Sequence, residues 1–374
     1  METVGKKKKL TRKQRSRRKF IVLIIEGIVL LVVLAGLFIW SKLNKINQTE
    51  KFTPEEVNIN IDEETQDIMD DYTNIALFGL DNLSTGNYKG GNSDVIMIAS
   101  INNKTKDVKL VSVYRDSYID IGDDNYSKAT HAHGKGGPKQ AIGMLNKNLD
   151  LNITQYVAAD FNAIAEVVDE LGGIELDVTS AEAEEAVIYI NQLNEVLGTN
   201  AKYISAGTQT LNGVQATAYC RLRYNVGGDD YKRTERQRIV LSKLLEKAKS
   251  AKLTTLNSII DKVLPDINTN FSSGEILEMA ANVVKYNLIE NQGWPFTLTN
   301  MTLDGHAIVV TTDLESNVKL LHEYLFEDAD YEPSDVVKSI SKEIIKQTGM
   351  TAADTTIDTN PFAQADTEED TTAE

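Results

Sequence analysis

The sequence predicts an α/β sandwich, and three observations support this fold class. Several short segments are nearly continuous apolar runs, which is typical of strands covered on both faces. Segments with a helical spacing of apolar residues alternate with these runs along the chain. Turn and cap residues separate the two kinds of segment, with Pro138 at the start of one helix and Gly172-Gly173 at the end of another. Such alternation predicts helices packed against a sheet.

The predicted elements follow one another without an internal repeat. The predicted strands are residues 74–80, 94–100, 108–114, 156–159, 174–178, 216–223 and 306–312. The predicted helices are residues 63–70, 138–149, 161–171, 181–197, about 229–248, 253–263, 274–287 and 314–326.

The first forty residues predict a membrane anchor. Ten of the first nineteen residues are Lys or Arg, and residues 20–40 are apolar or small except for Glu26. At 1.5 Å per residue this run spans about 31 Å, enough to cross the hydrocarbon core of a bilayer. The basic flank predicts a single-pass type II protein of the cell membrane with a cytoplasmic N-terminus. A cleaved signal peptide is the rival interpretation, but no clear A-x-A site follows the run. Positive-inside flanking also explains the basic residues without nucleic acid as a partner.

The rest of the chain divides by composition. Residues 1–19 form the cytoplasmic basic segment and residues 41–71, which are polar and acidic, are expected to form an extracytoplasmic stalk. Residues 72–326 hold the alternating elements and form the predicted domain. Residues 327–374 are expected to be an acidic, Thr-rich tail that is largely disordered.

The charge of the chain makes local arginine clusters informative. The formal net charge is −16, and because residues 1–40 carry eight net positive charges, the remainder carries −24. The general field therefore repels anions, and an anionic ligand must be bound by residues that converge in one place. The single cysteine, Cys220, excludes an intrachain disulfide and is expected to be a small core residue.

Residues 217–237 hold the densest group of arginines outside the N-terminus. A strand at 216–223 would place Arg221 and Arg223 on one face, about 6.6 Å apart at roughly 3.3 Å per residue. Gly227-Gly228 would then turn the chain into a helix capped by Asp229 or Asp230.

The first turns of that helix carry Arg233, Arg236 and Gln237. Converging guanidinium groups suit a polyanion such as a pyrophosphate, because they bind its oxygens in pairs. A surface ion-pair patch with the neighbouring acidic residues is the alternative, and this stretch leaves both interpretations open.

Two aspartates flank the first two predicted strands. Asp81 follows the first strand and Asp94 opens the second, so pairing of these strands would bring both carboxylates to one edge of the sheet. Two carboxylates with phosphate oxygens and waters are a usual environment for Mg²⁺. The alternative is that each aspartate caps a turn.

Other polar residues are less specific by themselves. Arg115 and Asp116 end the third strand, and Lys128 lies in the loop after it. His131 and His133 form an H-x-H pair that could bind zinc, but no cysteine or third ligand lies in register, so we do not expect a zinc site.

Five separated motifs occur in a fixed order: GLD, NSDVIMIASIN, VSVYRD, SKATHAHGKGGP and LNGVQATAYCRLRYNVGGDDYKRTERQR. This ordered set resembles the LytR-CpsA-Psr family over roughly residues 71–248, with weaker similarity to residue 326. The resemblance implies an α-β-α sandwich with a central mixed sheet. It also implies a phosphotransferase of Gram-positive envelopes, which moves an anionic glycopolymer from a polyprenyl pyrophosphate carrier to peptidoglycan. The polymer would be wall teichoic acid or a capsular-type polysaccharide.

The resemblance assigns roles to particular positions. The residues that match the family's motifs are Asp81, Asp94, Arg115, Lys128, Arg221, Arg223, Asp230, Arg233 and Gln237. The two aspartates at 81 and 94 match an acidic pair associated with Mg²⁺, with Mn²⁺ as an alternative ion. The other positions match the pyrophosphate site, and the arginines at 115, 221 and 223 are also expected to be catalytic. Asn92 departs from the family, which often has arginine at this position.

The expected chemistry is phosphoryl transfer assisted by charge neutralisation. The acceptor hydroxyl must lose a proton, and Asp81 or Asp94 is the nearest base in this interpretation. Hydrolysis of the carrier's pyrophosphate is a second enzymatic interpretation, because the same residues would serve it. A non-catalytic protein that binds the cell wall is the alternative from another class.

Overall fold

A seven-stranded mixed sheet organises this computed structural model, which describes residues 47–80, 91–223, 229–263 and 266–363. The strands are β1 (Asn47–Gln48), β2 (Tyr72–Leu80), β3 (Ser93–Asn102), β4 (Asp107–Val113), β5 (Tyr118–Asp120), β6 (Tyr126–Lys128), β7 (Gln155–Ala159), β8 (Ile174–Val178), β9 (Gly207–Leu211), β10 (Ile267–Thr269), β11 (Asn287–Trp294), β12 (Thr297–Leu303), β13 (His306–Thr311) and β14 (Ile357–Asp358). The helices are α1 (Glu63–Met69), α2 (Thr130–Leu149), α3 (Phe161–Glu170), α4 (Ser180–Leu197), α5 (Gly213–Tyr219), α6 (Asp229–Ser250), α7 (Leu253–Val263), α8 (Ser273–Asn282), α9 (Leu314–Phe326) and α10 (Asp335–Thr348).

The order of strands in the central sheet is β1-β10-β7-β2-β3-β4-β11. Strand β3 runs antiparallel to β2 and β4, whereas β2 is parallel to β7 and β4 is parallel to β11. The expected α/β fold with a central mixed sheet is therefore confirmed.

Both faces of the central sheet are buried, which explains why its strands are apolar in succession. On one face Ala76 and Phe78 of β2 join the largest core cluster, together with residues of α2, α9 and α10. On the other face Ile75 joins a smaller cluster that Ile276 of α8 and Leu241 of α6 cover. Alternate side chains of one strand thus serve two layers.

Helix α2 is two helical segments joined at a kink. Gly136 and Gly137 have non-helical backbone angles, and Gly137 has φ of 68°, which a glycine adopts without strain. Pro138 follows immediately and suits the first position of the second segment. The predicted helix at 138–149 is confirmed, and the preceding segment from Thr130, which contains the H-x-H pair, was not predicted.

The predicted strand at 216–223 is wrong, because residues 213–219 form helix α5 and a turn follows. The side chain of Asn212 accepts a hydrogen bond from the backbone of Gln215, and the Gln215 side chain accepts one from the backbone of Asn212, so both halves of a capping box are present. Gly213 packs so closely that a Cβ there would lie 2.1 Å from the Ala165 carbonyl oxygen. Ala216 and Ala218 alternate with polar residues as in a strand, which is why a strand was predicted. Alanine is also a strong helix former, and the capping box starts a helix here.

Seven of the described strands lie outside the central sheet, and two of them, β8 and β13, were predicted from the sequence. Strand β8 pairs with β9 in a separate two-stranded sheet, so α3 connects β7 of the central sheet to a strand of another sheet. Strand β13 pairs with β12 in a three-stranded sheet with β14. Helices α3, α4 and α5 and strands β8 and β9 instead share their own core cluster.

The expectation of a stalk at residues 41–71 is wrong for the part that the structure describes. Val57 and Met69 are fully buried in the largest core cluster, and Asn146 Nδ2 donates to the Val57 carbonyl at 2.8 Å. Asn47 and Gln48 pair with β10 at the sheet edge. The predicted short helix at 63–70 is confirmed as α1, with Asp62 accepting a hydrogen bond from Thr65 at its N-terminus.

The expectation of a disordered tail is also wrong for residues up to 363. Helix α10 buries Val337, Ile340 and Ile344 in the largest core cluster. Its N-cap, Ser334, is held by the buried Asp150, which accepts from the Ser334 backbone at 2.8 Å and from its hydroxyl at 2.7 Å. The prediction relied on the acidic composition of this region and overlooked the helical spacing of these three apolar residues.

The predicted anchor at 20–40 and the basic segment at 1–19 lie outside the described residues. Within residues 47–80, 91–223, 229–263 and 266–363, no helix has the length and apolar character needed to cross a membrane.

Candidate functional site

The C-terminal end of β2 lies beside the N-terminal end of β3, on the side of the central sheet where these strand ends meet. Leu80 pairs with Ser93 in the antiparallel ladder, so Asp94 lies on this side. Asp81 follows Leu80 in the chain, but it lies outside the described residues, and its expected role with a metal stays a prediction.

Asp94 and Arg115 are in direct contact through Asp94 Oδ1 and Arg115 Nη1. Arg115 follows β4, which neighbours β3, and this adjacency brings the two side chains together. Burial alone would lower the pKa of Arg115, but the charges of Asp94, Asp116 and Asp230 outweigh burial and raise it. The guanidinium group is therefore held in its charged form by carboxylates on three segments.

Asp116 extends the contact towards β6. Its Oδ1 atom lies 2.8 Å from Lys128 Nζ and 3.8 Å from Arg115 Nε. Its backbone is fixed as well, because the Val309 amide donates to the Asp116 carbonyl at 2.9 Å. No role was predicted for Asp116, although its place between Arg115 and the strand end was a sequence signal that could have indicated one.

The first turns of α6 supply the other half of the site. Arg233 Nη2 lies 2.5 Å from Asp230 Oδ1 and donates to the Asp94 backbone carbonyl at 3.3 Å. Arg223 Nη2, from the loop before α6, lies 3.9 Å from the same Asp230 oxygen. Asp229 and Asp230 are the first two residues of α6.

These contacts join seven residues, which we call the arginine–aspartate cluster. Its members are Lys128, Asp116, Arg115, Asp94, Arg233, Asp230 and Arg223. It holds four cationic side chains and three carboxylates, so it is locally positive within a strongly acidic chain. All members except Asp116 were predicted as site residues from the sequence.

The cluster has a buried part and a more exposed part. We call the buried part, Asp230 and Arg233, the floor, and the more exposed part, Arg115, Lys128 and Arg223, the rim. The Asp230 and Arg233 side chains are only 6% and 5% exposed, whereas Arg223 is 27% exposed. Burial raises the pKa of Asp230, and Asp116 adds to this effect, while Arg233, Arg223 and Arg115 oppose it. The floor thus positions the rim, and the rim is open to a ligand.

Several buried polar atoms of this region have no hydrogen-bond partner in the protein. They are Arg115 Nε, Arg221 Nη1, Arg233 Nε and Asp230 Oδ2. Leaving such a group unsatisfied costs about 1–3 kcal/mol. Three of the four are guanidinium donors, so the arrangement suits a ligand with several anionic oxygens.

Arg221 is not a member of the cluster, although the predicted strand would have placed it on the same face as Arg223. Its guanidinium lies over the rings of Phe161 and Tyr189, at 4.7 Å and 5.1 Å from their centres. Its backbone amide donates to the Ala218 carbonyl at 3.0 Å, which is turn geometry. Arg221 and Arg223 therefore do not share a strand face. Arg221 is held by two aromatic rings that pack against the core cluster of α3, α4, α5, β8 and β9.

Glutamates of α4 hold this turn in place, and sequence reasoning missed them. Glu185 Oε1 accepts from the Arg223 backbone amide at 2.6 Å, and Glu182 Oε1 accepts from Arg236 Nε at 2.8 Å. Burial opposes ionisation of Glu182, but its hydrogen bonds, including that from Arg236, lower its pKa overall. Gln237 Nε2 donates to the Cys220 carbonyl at 3.3 Å. Gln237 and Arg236 thus fix the turn from the helix side.

Two tyrosines lock the start of α6 against the end of β4. The Tyr114 and Tyr231 rings meet edge to face at 4.7 Å, and the Tyr231 hydroxyl donates to Asn300 at 2.7 Å. Gly293 leaves room for Tyr114, because a Cβ there would lie 2.1 Å from its hydroxyl oxygen. Burial raises the pKa of Tyr114 to about 12, so it remains neutral.

The two histidines of the H-x-H pair have different surroundings. His133 is buried against Phe78, and its Nδ1 lies 3.0 Å from the Gly91 carbonyl. His131 is exposed, and its Nδ1 lies 2.8 Å from Ser127 Oγ. Within the described ranges, no three or more His, Cys, Asp or Glu side chains are grouped closely enough to hold a metal.

A Mg²⁺ ion at this site would have few protein ligands from the described part of the chain. Mg²⁺ is often held by one or two carboxylates together with phosphate oxygens and waters. Asp94 is an oxygen donor at the sheet edge and fits this mode, because the ligand would supply the remaining oxygens.

The cluster does not coincide with either of two surface cavities in the described residues. One cavity of about 200 Å³ is lined partly by Ile101 and Phe271. Ile101 lies seven residues along β3 from Asp94, roughly 23 Å at about 3.3 Å per residue. The second cavity, of about 320 Å³, lies around Gly172 and Lys247.

The fold and the cluster together define a class: an α/β-sandwich protein with a guanidinium-rich site at one edge of a mixed sheet. The model of the LytR_cpsA_psr family matches residues 37–323, and the chain belongs to this family. The resemblance seen in the motifs is confirmed.

Named relatives are peptidoglycan-directed transferases. The chain is 28% identical over 276 residues to the polyisoprenyl-teichoic acid–peptidoglycan teichoic acid transferase TagU of Enterococcus faecalis. The matched region covers 71% of this chain and 84% of that protein. The chain is 24% identical over 318 residues to the corresponding transferase TagV of Bacillus subtilis, with 83% and 79% covered.

Solved structures share the fold. The crystal structure of B. subtilis TagV matches with a TM-score of 0.56 at 24% identity, covering 70% of this chain and 98% of that chain. The structure described as TagT bound to LI-WTA matches with a TM-score of 0.53 at 22% identity, covering 82% and 99%.

Proposed function

We propose that this protein is a transferase that moves an anionic glycopolymer from a polyprenyl pyrophosphate carrier to peptidoglycan. The observation that carries the proposal is the arginine–aspartate cluster, in which the buried Nε atoms of Arg115 and Arg233 have no hydrogen-bond partner in the protein. The names of the relatives support teichoic acid as the polymer. A capsular-type polysaccharide is the alternative polymer.

The proposed role of the cluster is to hold the pyrophosphate and to neutralise its charge. Arg115, Arg223 and Lys128 at the rim contact phosphate oxygens, and Arg221 Nη1, which has no hydrogen-bond partner in the protein, is a further proposed donor. The buried Arg233 and Asp230 keep these side chains in place. Phosphoryl transfer depends mainly on such positioning and on electrostatic stabilisation of the transition state.

The transfer step conserves atoms and charge. The acceptor hydroxyl oxygen forms a bond to the phosphorus next to the glycopolymer, and the bond from that phosphorus to the bridging oxygen breaks. Polyprenyl phosphate leaves, and the proton of the hydroxyl passes to a base. Asp94, with Asp81 as its expected partner, would hold Mg²⁺, which when bound supplies charge neutralisation at the phosphate oxygens.

We also propose that residues 20–40 anchor the protein in the cell membrane with the N-terminus in the cytoplasm. The basic flank and the length of the apolar run support this orientation. Protease added to intact protoplasts should digest the domain and spare an N-terminal epitope, and the reverse pattern would disprove the orientation.

The function is tested with the full-length protein, a polyprenyl pyrophosphate glycan, peptidoglycan fragments and Mg²⁺. The covalent adduct is measured by mass spectrometry for the wild type and for Asp94→Asn. The variant should transfer about 10²–10³-fold more slowly, by analogy with loss of an electrostatic contact to the transition state. Asp71→Asn is a matched control, because Asp71 forms an exposed ion pair with Lys104 away from the cluster.

Each outcome separates the alternatives. An adduct that Asp94→Asn loses and Asp71→Asn retains supports transfer at the cluster. Cleaved carrier without an adduct would favour hydrolysis. Intact carrier that still binds to the wild type would favour a non-catalytic binding protein. A series with Mg²⁺, Mn²⁺ and chelator tests the metal, because activity that survives the chelator would contradict a metal role.

A further inference from the structure

His131 lies beside the arginine–aspartate cluster, at the end formed by Lys128 and Asp116. Two backbone hydrogen bonds fix this placement, since the Ala129 amide donates to the Ser117 carbonyl and the Thr130 amide donates to the Arg115 carbonyl, each at 2.9 Å. The first turn of α2 is thereby attached to the segment that carries Arg115 and Asp116. The proposed binding of the pyrophosphate does not use His131, so its imidazole is available for another role.

The orientation of the His131 ring is set by one hydroxyl. Ser127 Oγ lies 2.8 Å from His131 Nδ1, and Ser127 precedes His131 by four residues. If Nδ1 carries the proton and donates to Ser127, the other nitrogen, Nε2, has a free lone pair. Because the side chain is exposed, a ligand at the rim can approach this nitrogen.

The charges around the ring favour its neutral form. Burial and then the positive charges of Lys128, Arg115 and His306 lower the pKa of His131, while Asp116 opposes them. These are the charged and titratable groups that face the ring from β6, the β4 end and β13. A neutral imidazole at neutral pH can accept a proton.

Each described carboxylate of the cluster is paired with a cation. Asp94 contacts Arg115, and Asp116 lies 2.8 Å from Lys128. Asp230 is almost completely buried beside Arg233. Each carboxylate is therefore either neutralised by a cation or shielded from an acceptor sugar.

We propose that His131 Nε2 accepts the proton of the acceptor hydroxyl during transfer, with Ser127 holding the ring in the required tautomer. This role rests on the proposed transferase function and deepens it. The O–H bond of the acceptor breaks as its oxygen bonds to phosphorus, and the electron pair of the broken P–O bond leaves with polyprenyl phosphate. The imidazolium ion then releases its proton to solvent or to the leaving phosphate.

The test compares four variants of the full-length protein in the transfer assay. His131→Ala removes the base, and His131→Gln keeps a polar group that can bond to Ser127 but cannot carry the proton away. His306→Ala is the matched control, because His306 is exposed and charge-coupled to the same ring without contacting Ser127. Ser127→Ala removes the hydroxyl that sets the tautomer. Transfer rate, pH profile, carrier binding and urea unfolding are measured for each.

Both His131 variants should lose about 10²-fold or more in transfer rate, the usual contribution of a general base, while carrier binding and unfolding stay unchanged. Added imidazole should restore part of the rate to His131→Ala. Because the pKa of His131 is lowered, the wild-type rate should fall only at a pH below the ordinary histidine pKa of about 6.5, and this fall should vanish in both variants. Ser127→Ala should show a smaller loss, and His306→Ala should stay within about threefold of the wild type.

Three results would overturn the role. The first is a His131→Ala rate near that of the wild type. The second is a loss accompanied by weaker carrier binding and no rescue by imidazole, which indicates a structural or binding role. The third is a His131→Gln variant that keeps the full rate. If the wild type itself forms no adduct, the proposed function fails first, and this result is distinct from the other three.

Discussion

Arg233 Nη2 donates to the backbone carbonyl of Asp94 at 3.3 Å, across 139 positions of the chain. The same guanidinium lies 2.5 Å from Asp230 Oδ1. One buried side chain thus fixes the start of α6 to the start of β3. The two halves of the arginine–aspartate cluster keep their relative position because of this contact.

Replacement of Arg233 by alanine should destabilise the protein. Asp230 would remain buried without its cation, and breaking a buried pair in this way typically costs about 3–5 kcal/mol. Urea unfolding measures the loss. The double variant Arg233→Ala with Asp230→Asn removes both charges and should unfold at a higher urea concentration than the single variant. Equal midpoints would show that the pair is not the source of the effect.

Arg221 and Arg223 should respond differently to lysine. Arg221→Lys loses the contacts of the guanidinium with Phe161 and Tyr189, so we expect a loss of about 1 kcal/mol in unfolding free energy. Arg223→Lys should leave stability nearly unchanged and lower the transfer rate more strongly, because Arg223 lies at the rim of the cluster. Unfolding curves and transfer rates of both variants check this, and the opposite order would refute the assignment.

His322 should make the fold sensitive to acid. It is fully buried, donates from Nε2 to the Leu149 carbonyl at 3.0 Å and stacks on Tyr331. Burial lowers its pKa to about 4, from 6.5 when unfolded. A lowered histidine pKa means that the neutral form is favoured in the fold, so this stability is present above pH 6.5 and is lost as pH falls towards 4. The loss is about 3 kcal/mol over that window.

The control for this effect is His322→Gln, which can still donate a hydrogen bond but cannot titrate. Its unfolding free energy should be lower at pH 7 and should vary less between pH 7 and pH 4 than that of the wild type. An identical pH dependence in the two proteins would exclude His322 as the cause.

Deletion of residues 335–374 should unfold or severely destabilise the domain. Val337, Ile340 and Ile344 are almost fully buried, and each such side chain contributes about 1.5–3 kcal/mol. A loss of about 5 kcal/mol or more is comparable with the whole stability of many domains. Deletion of residues 364–374 alone is the control and should leave the urea midpoint unchanged. Similar midpoints for the two deletions would mean that α10 is not part of the core.

Three of the strands that were predicted correctly share one property. Residues 74–80, 94–100 and 108–114 are buried on both faces, so their apolar runs reflect local composition alone. Strand β11 was missed, because most of its residues are exposed or half-buried and give no such signal. Helix α5 was mistaken for a strand because its small residues fit both periods, and the capping box at Asn212 was the better guide.

Ordered motifs and apolar runs are local properties of the chain, and they were enough to predict the fold class, the family and most members of the cluster. They indicated Asp94, Arg115 and Arg233 separately, without showing which of these side chains are in contact. That Arg223 faces Asp230 while Arg221 lies over aromatic rings is seen only in the folded protein, because it depends on a turn held by Glu185 of another helix. The partners of a charged side chain are set by packing between distant segments, and no local pattern of the chain records them.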